Sequence, residues 1–173
     1  PPAARARSAA ITAVGATDKV AKSNANSSKT AKRTADGFDH NRMALLIAVL
    51  EKRMGLKFYE NDVYLNVAGG IHLDEPSADL SIAMALISGI TDKVISDEII
   101  AFGEIGLSGE VRAVSHIDYR VKEAIRLGFT KIILPKKNIT QSLKASDGVE
   151  LIGVSNIYQV LAHMTTKTKA IDI

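Results

Sequence analysis

Cysteine is absent from this 173-residue chain, and tryptophan is absent as well. Without a thiol, the chain can form no disulfide, thiol nucleophile or cysteine-based zinc site. The lack of cysteine fits a cytosolic protein, and we expect a cytoplasmic location. Four histidines are present but form no metal-binding pair at helical spacing, so no metal site is predicted; they are His40, His72, His116 and His163.

Long apolar runs are also missing, since the longest candidate, Met43 to Leu50, falls far short of the roughly 20 residues that cross a bilayer. The first residues lack the apolar stretch of a secretory signal, so we expect no membrane partner. No phosphate-binding G-x-x-x-x-G-K-[ST] loop occurs, and therefore this chain alone is not expected to be an ATPase. Aromatic residues make up only 5%, which argues against a base-stacking platform.

Positive charge is unevenly distributed, although the net charge is only +3. Lys19 to Ala35 contains basic residues and no acidic one, so this stretch is either a solvated linker or a contact for phosphate or an acidic surface. Residues 1–30 are rich in Ala, Ser, Lys and Asn, with a possible short strand at Ile11 to Val14. We expect a flexible basic segment or linker over residues 1–30 and a folded domain over residues 31–173.

The folded part shows alternating helix and strand signals. Asp39 can cap a helix that carries Met43, Leu46, Ile47 and Leu50 on one face and stops at Gly55. Alternation predicts a strand over residues 62–67, resumed near Ile71 and Leu73. A helix that is apolar nearly all round is expected from Ser77 to Ser88, so other elements should bury it.

Later signals complete the pattern. Strands at Ile99 to Phe102 and Glu110 to Val114 flank a glycine-rich segment and predict a hairpin. The remaining predictions are helix Ile117–Leu127, strand Lys131–Leu134, strand Val149–Val154 and helix Asn156–Met164. This order predicts a mixed α/β (α+β) fold with a central sheet.

Ser77 lies in Asp74-Glu75-Pro76-Ser77-Ala78, at the start of the buried helix. The free N–H groups and dipole of a helix N-terminus favour negative charge, which suits a nucleophile that creates an oxyanion. A serine in this place is equally a good N-cap, and the local sequence favours the cap.

Two segments together resemble the proteolytic domain of Lon: Pro76-Ser77-Ala78, and the hairpin from Gly103 to Val114. In that family the serine of the first segment is catalytic, and a lysine in the helix after the hairpin is its base. Aligning the hairpins places Asp118 where the family has this lysine. A carboxylate cannot replace a lysine electrostatically, and its alternative role is to complement the helix dipole. Lys122, one turn further, would have to reach back past Asp118, so Ser77 and Asp118 are interpreted as vestigial.

A closer resemblance is to the RadA (Sms) family of bacterial DNA repair proteins. It rests on Arg33-Thr34-Ala35-Asp36-Gly37-Phe38-Asp39-His40-Asn41-Arg42, on Asn66 to Gly70 running into Leu73 to Pro76, and on the hairpin. It covers about Ala31 to Leu161. The resemblance implies a Lon-like domain of the ribosomal protein S5 domain 2-like architecture. It also implies a parent protein with a zinc finger and an ATPase, so zinc and ATP are expected only outside this chain.

The same resemblance implies single-stranded or branched DNA as a partner. For the parent protein it also implies assembly into a hexamer and a recombinase filament as a further partner. It points to Arg33, Arg42 and Arg112 as phosphate contacts, because the guanidinium fork donates two bonds at once. His72 stands where the family often has lysine, and a histidine is mostly neutral at pH 7, which weakens this contact. Surface or intersubunit salt bridges are the alternative role of these arginines.

We therefore expect a non-proteolytic scaffold and DNA-binding domain that serves an ATPase for processing branched recombination intermediates. One alternative is an active Lon-type serine peptidase that uses Ser77. The other is a purely structural hexamerisation platform, in which the basic residues lie at subunit interfaces.

Overall fold

The computed structural model describes residues 30–166, so the possible strand at Ile11 to Val14 lies outside the described residues. Within this range the α/β prediction is confirmed. The helices are α1 (His40–Met54), α2 (Asp79–Thr91) and α3 (Ile117–Arg126). The strands are β1 (Arg33–Asp36), β2 (Val63–Asn66), β3 (Lys93–Val94), β4 (Ile99–Ala101), β5 (Glu104–Ile105), β6 (Val111–Arg112), β7 (Lys131–Pro135), β8 (Glu150–Val154) and β9 (Thr165–Thr166).

Helix α1 begins and ends where its capping residues predict. The Asp39 carboxylate accepts a hydrogen bond from the backbone N–H of Arg42 at 2.7 Å, which satisfies one of the free donors of the first turn. Gly55 ends the helix with a φ of 65°, a left-handed conformation that glycine adopts without a Cβ clash. The buried face carries all four predicted positions and Val49.

Strands β1 and β2 form a parallel pair in which Arg33 lies opposite Val63 and Asp36 opposite Asn66. Strand β2 alternates between buried and exposed residues, as the sequence predicts. The predicted resumption of this strand is reduced to a single bridge between Phe38 and Leu73.

Helix α2 is buried over its first nine residues, Asp79 to Ile87, in agreement with its apolar sequence. It begins two residues later than predicted, because Pro76–Ala78 forms a short 3-10 turn ahead of it. This turn leads the chain into the core directly before the helix.

The predicted pairing of Ile99–Phe102 with Glu110–Val114 is wrong. Strand β4 instead pairs in parallel with β7, which pairs in parallel with β8. All three residues of β4 are buried, as suits a parallel strand covered on both faces. The hairpin lies inside the glycine-rich segment, where β5 and β6 pair Glu104 with Arg112 and Ile105 with Val111.

The β4–β7–β8 sheet separates two apolar clusters because successive residues of a strand point to opposite faces. One face, with Ile99, Ala101 and Ile133, packs in the cluster that contains α1 and α2. The other face packs with Val121 and Ala124 of α3 in the second cluster. The predicted central sheet is thus a small three-stranded one, accompanied by three two-stranded sheets in the described range.

The last predicted helix is present, but Ile157–His163 is a 3-10 helix and not an α-helix. The side chains of Asn156 and Gln159 form a reciprocal capping box at its start. No helix of residues 30–166 is long and apolar enough to cross a membrane.

Candidate functional site at the carboxyl edge of the parallel sheet

The Ser77 turn and the hairpin meet at the carboxyl end of β4. Gly103 follows this strand, and its N–H donates to the Ser77 carbonyl at 2.9 Å, while its own carbonyl accepts from Leu80 at 3.0 Å. Val111 of the hairpin donates to the carbonyl of Ser155, just after β8, at 2.8 Å. The carboxyl edge of parallel strands is a common place for ligand sites in α/β proteins.

Ser77 is only 4% exposed, and its Oγ has no hydrogen-bond partner among the described residues. The N-cap interpretation of Ser77 is therefore wrong: Ala78 occupies the N-cap position of α2, and no side chain caps the turn or the helix. A nucleophilic serine needs a base within hydrogen-bond reach. The structure places no such group on this hydroxyl.

Asp118 lies in the first turn of α3 and is exposed, as is Lys122 one turn further along. Neither side chain forms an ion pair or a hydrogen bond within the described part of the chain. Asp118 thus occupies the first-turn position that complements a helix dipole. Neither Asp118 nor Lys122 forms a hydrogen bond with the Ser77 hydroxyl.

Asp79, two residues after Ser77, is the most buried acidic side chain of the site, with 1% exposure. Arg42 of α1 binds both of its carboxylate oxygens, through Nε at 3.0 Å and through a terminal nitrogen. Ile105 of β5 completes the cluster, since its N–H donates to Asp79 at 3.1 Å and its carbonyl accepts from Arg42 at 3.0 Å. The hydrogen bond to Asp79 raises the pKa of Arg42.

Glu75, two residues before Ser77, forms a second ion pair with Arg120 of α3. Arg120 is 7% exposed, and its Nε donates to the Ser115 carbonyl at 2.9 Å. The Ser77 turn is thus held on both sides by an arginine and a carboxylate. We call Arg42–Asp79 and Glu75–Arg120 the two clasps.

Sequence reasoning missed Asp79, Glu75 and Arg120. A usable signal existed for Asp79, because a lone acid in an otherwise apolar helix needs a buried partner. No comparable signal identified Arg120, which lies in an amphipathic helix among other charged residues.

Arg33, a predicted phosphate contact, is half-buried and faces the protein. Its guanidinium donates to the carbonyls of Asn61 at 2.8 Å, Phe58 at 2.9 Å and Lys32 at 3.1 Å. These bonds attach β1 to the segment that precedes β2. Most of the donors of Arg33 are therefore used inside the domain.

Arg112 is more accessible, with a side chain 53% exposed, but it lies between two carboxylates. Its terminal nitrogens lie 2.9 Å from Glu110 and 3.6 Å from Glu104. Glu110 also accepts two hydrogen bonds from Ser108, from the N–H at 3.0 Å and the hydroxyl at 2.5 Å. The Ser108 bonds, Glu110's own backbone N–H and Arg112 together lower the pKa of Glu110 to about 2.

His72 is exposed in the segment between β2 and the Ser77 turn. The four predicted DNA contacts therefore do not form one cluster of free cations. Arg33 and Arg42 are bonded within the fold, Arg112 faces two glutamates, and only His72 of the four has no bond of this kind in the described residues. Their role in DNA binding stays a prediction.

Residues 45–167 match the family of the Lon protease (S16) C-terminal proteolytic domain. The chain belongs to this family. The chain is 48% identical over 131 residues to the DNA repair protein RadA of Streptococcus pyogenes serotype M3, covering 76% of this chain and 29% of that protein. Identity to the DNA repair protein RadA of Bacillus subtilis is 48% over 130 residues, covering 75% and 28%.

The DNA repair protein RadA of Streptococcus pneumoniae is 47% identical over 131 residues, covering 76% of this chain and 31% of that protein. The predicted Lon-like and RadA-like resemblances are thereby confirmed. The chain spans less than one third of the length of these relatives.

Proposed function

We propose that this Lon-type domain is a non-proteolytic part of a RadA-type DNA repair protein and binds DNA through its phosphates. The observation that supports a non-proteolytic domain is that the Ser77 Oγ is buried without any hydrogen-bond partner in the described residues. Support for DNA binding comes from the relatives, which are DNA repair proteins.

The surroundings of Ser77 also disfavour acylation. A Ser-Lys peptidase needs a lysine that is desolvated beside the serine, so that it is neutral and can take the hydroxyl proton. The charged groups nearest in sequence are instead Glu75 and Asp79, each bound to an arginine. These pairs fix the turn but offer the hydroxyl no proton acceptor.

A purely structural platform is the second candidate. Its support is that Arg33, Arg42 and Arg112 already have partners inside the chain. In this alternative the domain holds subunits of a hexamer together, and DNA handling belongs to the rest of the parent protein.

We assign ATP turnover, zinc binding, branched-DNA processing and any contact with a recombinase filament to the rest of the parent protein.

Two measurements on the 173-residue chain test the proposal. A fluorophosphonate probe is expected to leave Ser77 unlabelled, while a known serine hydrolase in the same tube is labelled. Fluorescence anisotropy with a single-stranded oligonucleotide is expected to show binding that weakens steeply with salt, because phosphate contacts release counterions. Labelling of Ser77 would revive the peptidase, and no DNA binding by an intact oligomer would favour the platform.

A further inference from the structure

The connection from β7 to β8, residues 136–149, is unusual for two parallel strands. Such crossovers commonly contain an α-helix, whereas this one holds only a short 3-10 turn at Lys136–Asn138. Irregular connections of about this length in a compact domain are often functional or else disordered.

This loop is ordered by specific contacts. The side chain of Asn138 holds Val114 by accepting from its N–H at 2.9 Å and donating to its carbonyl at 3.0 Å. Leu143 is buried in the second apolar cluster. At Gly153 of β8, a Cβ would lie 3.2 Å from the Cα of Lys136, so the glycine allows the loop to approach closely.

The loop carries lysines that have no acidic partner. Lys136, Lys137 and Lys144 are exposed, and none forms an ion pair in the described range of the chain. The loop contains one acidic residue, Asp147. Its net charge is therefore positive, and three cations are available to a ligand.

Several other cations of the domain are neutralised by ion pairs. Arg42 and Arg120 are bound in the two clasps, Arg126 pairs with Glu123, and Lys131 pairs with Glu98. Arg112 lies two residues before Val114, which the loop binds, but it faces two glutamates. The three loop lysines thus remain unpaired within one segment of the described residues, as does Lys122 of α3.

Neutral donors accompany the lysines. Thr140, Gln141 and Ser142 are exposed, and the hydroxyls of Thr140 and Ser142 lie 2.9 Å apart. Hydroxyl and amide groups beside lysines are common contacts to phosphate oxygens in protein–DNA complexes. The loop thus combines charge with hydrogen-bond donors on a fixed backbone.

We propose that the β7–β8 loop is the surface through which this domain contacts the phosphates of a nucleic acid, with Lys136 and Lys137 as the principal contacts. This assignment rests on the DNA-binding function proposed above. It moves the contact away from Arg33 and Arg42, whose guanidinium groups serve the fold.

The test is single-stranded DNA binding by the full 173-residue chain across a salt series. The loop variant is Lys136→Gln/Lys137→Gln, and the control is Lys52→Gln/Lys57→Gln, which removes the same charge from exposed lysines at and after the end of α1. The loop variant is expected to lower the salt slope by about 0.7 per lost contact and the affinity on the order of tenfold. The control is expected to change both much less.

Four other results would overturn the assignment. If the unaltered chain binds DNA and the loop variant binds it equally well, the loop is not the contact surface, whereas the proposed DNA-binding function still holds. Equal losses in loop variant and control show a general charge effect. No binding by the unaltered chain overturns the DNA-binding function and this surface with it. If the unaltered chain binds a polyglutamate peptide as tightly as it binds DNA, and the loop variant loses that binding, the loop is instead a surface for an acidic protein partner.

Discussion

The Ser77 turn and the first residues of the β7–β8 loop both lie at the carboxyl edge of the parallel sheet, yet their charged side chains differ in pairing. Around Ser77 the carboxylates and guanidinium groups are paired, and three of the four side chains are less than one third exposed. In the loop the lysines are exposed and unpaired in the part of the chain that the structure describes. Paired buried charge fixes a fold, whereas exposed unpaired charge is available to a ligand.

Breaking the first clasp is expected to have the largest effect. Arg42→Ala leaves the Asp79 carboxylate buried without its cation, which costs about 2–4 kcal/mol of unfolding free energy, slightly below the range for fully buried pairs because Arg42 is partly exposed. Urea denaturation of the variant measures this loss. Arg42→Lys is the control, and a loss below about 1 kcal/mol for the alanine variant would contradict the buried clasp.

Breaking the second clasp should cost less. Glu75→Gln removes the charge opposite the buried Arg120 but keeps a side chain that can accept a hydrogen bond, so we expect a loss of about 1–3 kcal/mol. Glu75 is one third exposed, and water can partly replace it. Thermal unfolding measures the change. A variant as stable as the unaltered chain would show that Glu75 does not hold the Ser77 turn.

Acid should weaken the hairpin through Glu110. Its pKa in the folded protein is lowered to about 2 from 4.5, so its stabilising contribution is present above pH 4.5 and is lost as the pH falls towards 2. The stability difference between the unaltered chain and Glu110→Gln should therefore shrink over this interval. A difference that stays constant from pH 6 to pH 2.5, in the same salt, would contradict the bonds to Ser108 and Arg112.

The smallest effect is expected at Ser77. Its Oγ is buried without a hydrogen bond in the described residues, so Ser77→Ala removes an unsatisfied polar group and should leave stability unchanged or raise it by up to about 1 kcal/mol. Ser81→Ala is a matched control, since the Ser81 hydroxyl donates to the Ala78 carbonyl at 3.1 Å. A larger loss at Ser77 than at Ser81 would reveal a partner for the Ser77 hydroxyl.

Local features could be predicted from the sequence because their causes are local. The cap at Asp39, the stop at Gly55 and the alternation of β2 depend on neighbours within a few residues. The strand that begins at Lys131 and the helix that begins at Ile117 are predictable for the same reason.

Partners distant in the chain could not be predicted. The pairing of β4 with β7, and the bonds of Arg33 to carbonyls of residues 58 and 61, depend on tertiary contacts that leave no local pattern. The family motifs identified Arg42 as a site residue, but its partner Asp79 lies 37 positions away. The free lysines of the loop belong to no motif, and only their exposure and lack of ion pairs in the described residues distinguish them.

The most direct test of the contrast between the two regions is an amide chemical-shift titration of the ¹⁵N-labelled chain with a short single-stranded oligonucleotide. We expect the amides of residues 136–149 and of Val114 to shift with DNA concentration, and those of Ser77 to Asp79 to stay in place. Chemical-shift changes confined to the Ser77 turn, with none in the loop, would contradict the account in which the clasps stabilise the fold and the loop binds DNA.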